Sequence, residues 1–264
     1  MIETGSKGIC RLALAPVRKD PADSSEQVTQ LLFGEHYEIQ EVSKNRKWYR
    51  ICIAHDGYEG WLDYKQHSPI TNSYFNQIDL ANYKVSLEPV TTILYRKRSL
   101  RILMGSVLPI GTNELFRMEE QLAFSGESKG LGERTSASFL LRIAEKYLNS
   151  PYMWGGRSPF GIDCSGFTQV VFRICGYSLL RDASQQATQG KLLPGVEAAR
   201  PGDLAFFVND QQKIFHVGIV MEDEQIIHAS GMVRIDQLDD KGIYLPQTGK
   251  YTHRLAFVRR VLKI

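Results

Sequence analysis

Hydrophobic and polar positions along this chain of 264 residues change period partway. Up to about residue 70 the apolar residues come in short alternating runs, the period of half-buried strands. Strands are predicted over 27–33, 36–42, 48–54 and 58–62, separated by turn signals at Gly34-Glu35, Lys44-Asn45-Arg46 and His55-Asp56-Gly57. Strands this short with turns this tight predict a small barrel, with Trp61 in its core. Residues 75–132 read as a degenerate second copy: Leu108-Pro109-Ile110-Gly111 echoes Leu31-Leu32-Phe33-Gly34, and strands are expected at 91–95 and 100–104. The polar, glycine-rich stretch 125–132 reads as a linker. Beyond it the period lengthens. Phe139, Ile143 and Tyr147 mark one helix face, and Phe167, Val170, Val171 and Ile174 mark another at i, i+3, i+4 and i+7, with Gly176 placed to stop it. A short helix is expected after Asp182, ending at Gly190, and strands at 204–208, 216–221, 225–229, 232–235 and 255–261. Helices followed by a run of strands predict an α+β domain with helices packed on one face of an antiparallel sheet. The expected domains are 1–72, 73–132 and 133–264.

Composition narrows the class. With 43% apolar and 23% charged residues the chain is globular, and a net charge of +3 is too small to argue for a nucleic-acid partner. No apolar run approaches the roughly 18 residues a membrane-spanning helix needs, so no membrane partner is expected. The first residues carry no basic stretch followed by an apolar core, and four cysteines do not make a disulfide framework; both favour a cytoplasmic location, or an exported one if a leader has been removed. Cys-x-x-Cys, His-x-x-x-His and a glycine-rich phosphate loop are all missing, so neither metal nor cofactor is expected.

Candidate chemistry concentrates at Gly161-Ile162-Asp163-Cys164-Ser165-Gly166-Phe167, where a cysteine opens a helix. Unpaired N–H groups and the positive end of the helix dipole favour a thiolate there. Two histidines follow on strand-like runs, His216 and His228, joined by the polar segment Glu222-Asp223-Glu224. A hairpin centred on Glu222 sets them opposite each other; one centred on Asp223 makes them diagonal neighbours. Either register turns both imidazoles to one face. One ring can then act as base while the other orients it, the arrangement of a nucleophilic cysteine hydrolase. Cys10, Cys52 and Cys175 read instead as small hydrophobes.

The segments Pro151-Tyr152-Met153-Trp154-Gly155-Gly156, Asp163-Cys164-Ser165-Gly166, Arg200-Pro201-Gly202-Asp203-Leu204, His216-Val217-Gly218-Ile219 and Ile227-His228-Ala229 resemble, in order, the NlpC-type papain-like cysteine peptidases. The preceding strands, with Asp56-Gly57-Tyr58-Glu59-Gly60-Trp61, resemble a bacterial SH3-like domain. Together they make the chain similar to γ-D-glutamyl-L-diamino acid endopeptidases of murein-peptide recycling. The resemblance implies a papain-like domain behind two small SH3-like β-barrels, with Cys164 as nucleophile, His216 as general base and acid, and His228 as the orienting third member. Asp163 and Ser165 would line the site and Trp154 would wall it. Asp182 would hold the free amine of an N-terminal L-Ala; the family often has Ser after this Asp, and here Ala183 follows. Glu26 and Tyr58 would close the non-primed end of the cleft, with Glu35 and Tyr64 as alternatives. The implied partner is a murein peptide, L-Ala-γ-D-Glu-L-Lys or its meso-diaminopimelate counterpart, cleaved by a monomer after γ-D-Glu. An exported hydrolase of intact wall and an inactive wall-binding protein are the competing expectations.

Overall fold

A computed structural model describes residues 2–78, 82–111, 116–117 and 121–262. It divides into two compact units, Met1–Glu133 with Trp154–Pro159, and Arg134–Met153 with Phe160–Ile264.

In the first unit, β1 (Lys7–Ile9), β2 (Leu14–Arg18), β3 (Gln27–Leu32), β4 (His36–Val42), β5 (Trp48–Ile53), β6 (Glu59–Asp63) and β7 (Ser68–Ile70) form an antiparallel sheet in the order β3-β2-β6-β5-β4-β1-β7. Its edge strands β3 and β7 do not pair with each other among the described residues, so the expected barrel is not closed by hydrogen bonds. Alternation along the strands buries Val17, Leu31, Tyr37, Ile39, Ile51 and Leu62 in one core. Trp61, expected there, is half-buried instead, because its neighbours Gly60 and Leu62 are the inward residues of β6. Helix α1 (Asn72–Gln77) follows, and then β8 (Tyr83–Ser86), β9 (Val90–Tyr95), β10 (Arg98–Leu103), β11 (Val107–Gly111), β12 (Phe116–Arg117), β13 (Leu122–Ala123) and β14 (Ser128–Gly130). They make two sheets, β10-β9-β13-β12 and β11-β8-β14. The stretch read as a linker therefore supplies a strand, β14, which pairs with β8. Phe33 is buried among Ile93, Ile102, Leu108 and Phe124 of this second module. Its carbonyl accepts from the Val107 N–H at 2.8 Å. Gly34 beside it has φ +83, and a Cβ there would lie 1.8 Å from the Val107 carbonyl oxygen, so only glycine fits this contact. The unit also holds β15 (Arg157–Ser158).

The second unit contains α2 (Ala137–Glu145), β16 (Gly161–Ile162), α3 (Cys164–Ile174) and α4 (Ala183–Gln186). Its sheet comprises β17 (Lys191–Leu192), β18 (Leu204–Val208), β19 (Ile214–Val220), β20 (Gln225–Ser230), β21 (Met232–Leu238), β22 (Gly242–Leu245) and β23 (Lys250–Arg260), in the order β17-β23-β18-β19-β20-β21-β22. Strand β22, which the hydrophobic pattern does not predict, also pairs with β23, so the sheet returns on itself. Helix α3 packs on β19 and β20. Phe167, Val171, Phe172 and Ile174 are fully buried, each contributing roughly 1.5–3 kcal/mol from lost apolar exposure. That packing fixes where the first turn of α3 points. Among the described residues no helix is long and apolar enough to cross a membrane.

Candidate active site

Helix α3 begins at Cys164 because Asp163 caps it: the carboxylate accepts from the Gly166 N–H at 2.6 Å. Asp163 is itself held by the fully buried guanidinium of Arg181, at 3.0 and 2.6 Å to its two oxygens. The same Arg181 donates to Ser165 Oγ at 2.9 Å. Asp163 and Ser165 thus flank Cys164 as parts of a buried charge-assisted cluster. Gln186 of α4 continues it, donating to the Ser165 carbonyl at 2.9 Å and accepting from Thr168 Oγ1 at 2.7 Å.

The sheet supplies the rings. In the β19–β20 hairpin Gly218 faces His228, which is the register centred on Asp223, so His216 is the diagonal neighbour of His228. Asp223 and Glu224 both take φ +54, as a tight two-residue hairpin turn requires. The absence of a side chain at Gly218 matters here: a Cβ would stand 2.9 Å from the His228 Cβ. His216 Nε2 lies 2.9 Å from His228 Nδ1, and His228 Nε2 lies 2.9 Å from Asp236 Oδ2. Arg234 donates to the other Asp236 oxygen at 2.7 Å. An ionised carboxylate only accepts, so His228 donates from Nε2 and accepts at Nδ1. His216 therefore donates from Nε2, and its Nδ1 is left without a proton. The Cys164 sulfur accepts from the backbone N–H of Val217, the residue after His216, and from that of Ser165.

The electrostatics correct one expectation. Burial pushes the Cys164 thiol up to about 12, and the Asp163 charge adds to this; the Val217 N–H, Arg181 and the Ser165 N–H offset only part. The helix start does not make a resting thiolate, because desolvation of a buried sulfur anion outweighs the dipole. His216 is held well below its ordinary value by burial, then by His228 and His253. For Asp236 burial opposes the charge, yet hydrogen bonds from His228 and Arg234 keep it lowered.

The other expected residues are placed as follows. Asp182 is the half-buried N-cap of α4, its backbone N–H bonded to Gln185 Oε1 at 3.0 Å, and Ala183 is buried behind it. Trp154, Glu26 and Tyr58 belong to the first unit. There the Trp154 indole donates to Glu26 Oε1 at 2.7 Å, while Tyr58 packs against the core of the first sheet. Glu35 is 1% exposed and forks onto the Arg157 guanidinium at 2.7 and 2.9 Å as a buried ion pair. Tyr64 is exposed beneath the Lys65 ammonium. Three residues were missed. Asp236 is an acidic residue at an inward position of β21, and that mismatch is a signal a strand pattern carries. Arg181 shows only as a charge beside Asp182. Tyr152 lies in the field of Cys164 and Asp163; burial, then those two charges, raises its phenol to about 12.

A thiol at a helix start, set against a sheet whose neighbouring strands carry two linked imidazoles and a carboxylate, defines a papain-like thiol hydrolase. Residues 149–252 match the NlpC/P60 family, and residues 17–66 match the bacterial dipeptidyl-peptidase SH3 domain. The chain is an NlpC/P60 cysteine peptidase with an N-terminal bacterial SH3 domain. It is 29% identical over 220 residues to the gamma-D-glutamyl-L-lysine dipeptidyl-peptidase of Bacillus subtilis, an alignment that covers 76% of this chain and 71% of that protein. It is 24% identical over 255 residues to dipeptidyl-peptidase 6 of Lysinibacillus sphaericus, covering 86% and 90%. An NlpC/P60 family protein from Bacillus cereus shares the fold at a TM-score of 0.82 and 22% identity, covering 98% of this chain and all of that one.

Proposed function

We propose that this peptidase hydrolyses the bond between γ-D-Glu and the diamino acid of free murein peptides that begin with L-Ala. The observation that carries the reading is the relay from Asp236 through His228 to His216, whose unprotonated Nδ1 belongs to the residue beside the N–H that holds the Cys164 sulfur. Thiol and imidazole both rest neutral. As the sulfur attacks the γ-carbonyl carbon, its proton passes to His216 Nδ1. His216 then gives that proton to the leaving amine, and a thioester remains on Cys164. Water, deprotonated by His216, attacks the thioester and releases the L-Ala-γ-D-Glu product. As the sulfur moves off it to attack, the Ser165 N–H at the start of α3 becomes a donor for the developing oxyanion. Asp236 and His228 hold the imidazole in its reactive tautomer and support its transient charge.

Asp182 is assigned to the free α-amine of L-Ala. An ion pair between its carboxylate and that ammonium is lost when the amine is acylated or glycan-linked, which selects short free peptides. The names of the Bacillus subtilis and Bacillus cereus relatives, gamma-D-glutamyl-L-lysine dipeptidyl-peptidase, support the bond assignment. Mass spectrometry of products from L-Ala-γ-D-Glu-L-Lys and from intact sacculi, run side by side, tests it. Release of L-Lys and L-Ala-γ-D-Glu from the tripeptide is expected; soluble fragments from sacculi alone would refute it in favour of a wall hydrolase.

A further inference from the structure

His253 sits on β23, two places from β19 in the sheet order, yet its ring centroid is only 4.2 Å from that of His216, at 32°. The same ring lies parallel to Phe215, at 5.6 Å and 10°, and edge-on to His228 at 5.7 Å and to Phe207 at 5.9 Å. Its Nδ1 is 2.8 Å from Thr252 Oγ1, which fixes the ring about its own axis. The relay holds His216 by a single ring nitrogen, and Phe207 and Phe215 tilt against it at 5.7 and 6.1 Å. His253 approaches the ring more closely than either, at 4.2 Å.

We propose that His253 is a positioning residue for the peptidase: a neutral aromatic plate that holds the His216 imidazole by its face and favours its cationic form only transiently. The inference rests on the peptidase reading and deepens it. A neutral ring against the face of His216 fixes orientation and tolerates a passing positive charge. A protonated ring in the same place would oppose that charge. Burial first, then His228, lowers His253 to about 4, with Asp236 acting the other way, so the plate is neutral wherever His216 works as a base. The groups that face it are His216 and Phe215 from β19, His228 from β20 and Asp236 from β21. Lys241, Asp210, Tyr251 and Arg254 line the cleft beside it. Asp236 is already engaged by His228 and Arg234, so it does not hold a proton on His253.

The test compares His253→Phe with His253→Ala in the full chain. It uses turnover of L-Ala-γ-D-Glu-L-Lys, NMR titration of the His216 ring, and thermal unfolding as a check on folding. Phe keeps the plate and removes the titrating neighbour; Ala removes both. For His253→Phe, kcat within about threefold of wild type is expected, with the His216 midpoint little moved, because the ring that Phe replaces is already neutral. For His253→Ala, kcat falls about tenfold at unchanged KM and the His216 midpoint rises by about half a pH unit as water reaches the ring. Equal loss of kcat in both variants with unmoved His216 titration assigns His253 to packing alone and overturns the proposal, as does wild-type kcat in His253→Ala. If wild type fails on the tripeptide while the His216 midpoints still shift as stated, the substrate reading falls and the positioning role stands.

Discussion

The two sides of the active site are built from opposite kinds of buried polarity. At the start of α3, Asp163, Arg181 and Ser165 form a cluster of permanent charge, bidentate and fully enclosed. Across from it, on β19 to β21, His216, His228 and Asp236 form a row of groups linked ring to ring. The first holds backbone in place and has no proton to give. The second can pass a proton along its length, and burial keeps its terminal imidazole neutral. The proposed nucleophile therefore stands on a rigid ionic mount facing a movable proton store. Interchanging the two would leave nothing to hold the helix end and nothing to receive the thiol proton.

Four measurements break or sharpen this contrast. The largest effect is expected at the nucleophile: Cys164→Ala should lower turnover of the tripeptide by at least about 10³-fold while circular dichroism is unchanged. Next, Asp236→Asn should cost about 10²-fold in kcat with little change in unfolding midpoint, since the amide can present a donor to His228 and favour the wrong tautomer. Arg181→Met should do the reverse: denaturant titration should show about 3–5 kcal/mol of lost stability, the cost of a buried carboxylate left unpaired. A stability loss for Asp236→Asn as large as for Arg181→Met would erase the distinction drawn above. The smallest effect is on pH. His216 and His253 are both lowered by folding, so the unfolded chain binds more protons than the folded one below the ordinary histidine value of about 6.5. Stability is then full above that pH and falls as pH drops toward about 4, where His253 titrates in the folded state. Unfolding curves between these limits should show the slope, and His253→Phe should flatten it.

Much of the site could be read locally. The α3 boundaries follow from its apolar period and a stop glycine, and the hairpin register is confined to two choices because a polar turn joins two apolar runs. The structure selects the choice centred on Asp223. What escaped depends on distant chain. His253 meets His216 because β23, far along the chain, pairs with β18, the neighbour of β19. Trp61 reads from the sequence as barrel core, whereas alternation along β6 selects Leu62. Arg181 is buried by a cluster of residues that are neighbours only in space. The thiol's protonation was misjudged for a related reason: the helix dipole is a local property, but the solvent exclusion that defeats it is set by the whole fold.

The protonated resting state of Cys164 has a consequence outside peptide hydrolysis. Peroxide and disulfide attack require the sulfur anion, and burial keeps the resting sulfur protonated. An enzyme of this kind should persist in the face of oxidants that inactivate thiols held as anions at rest, and bound peptide, by occupying the sulfur, should protect it further.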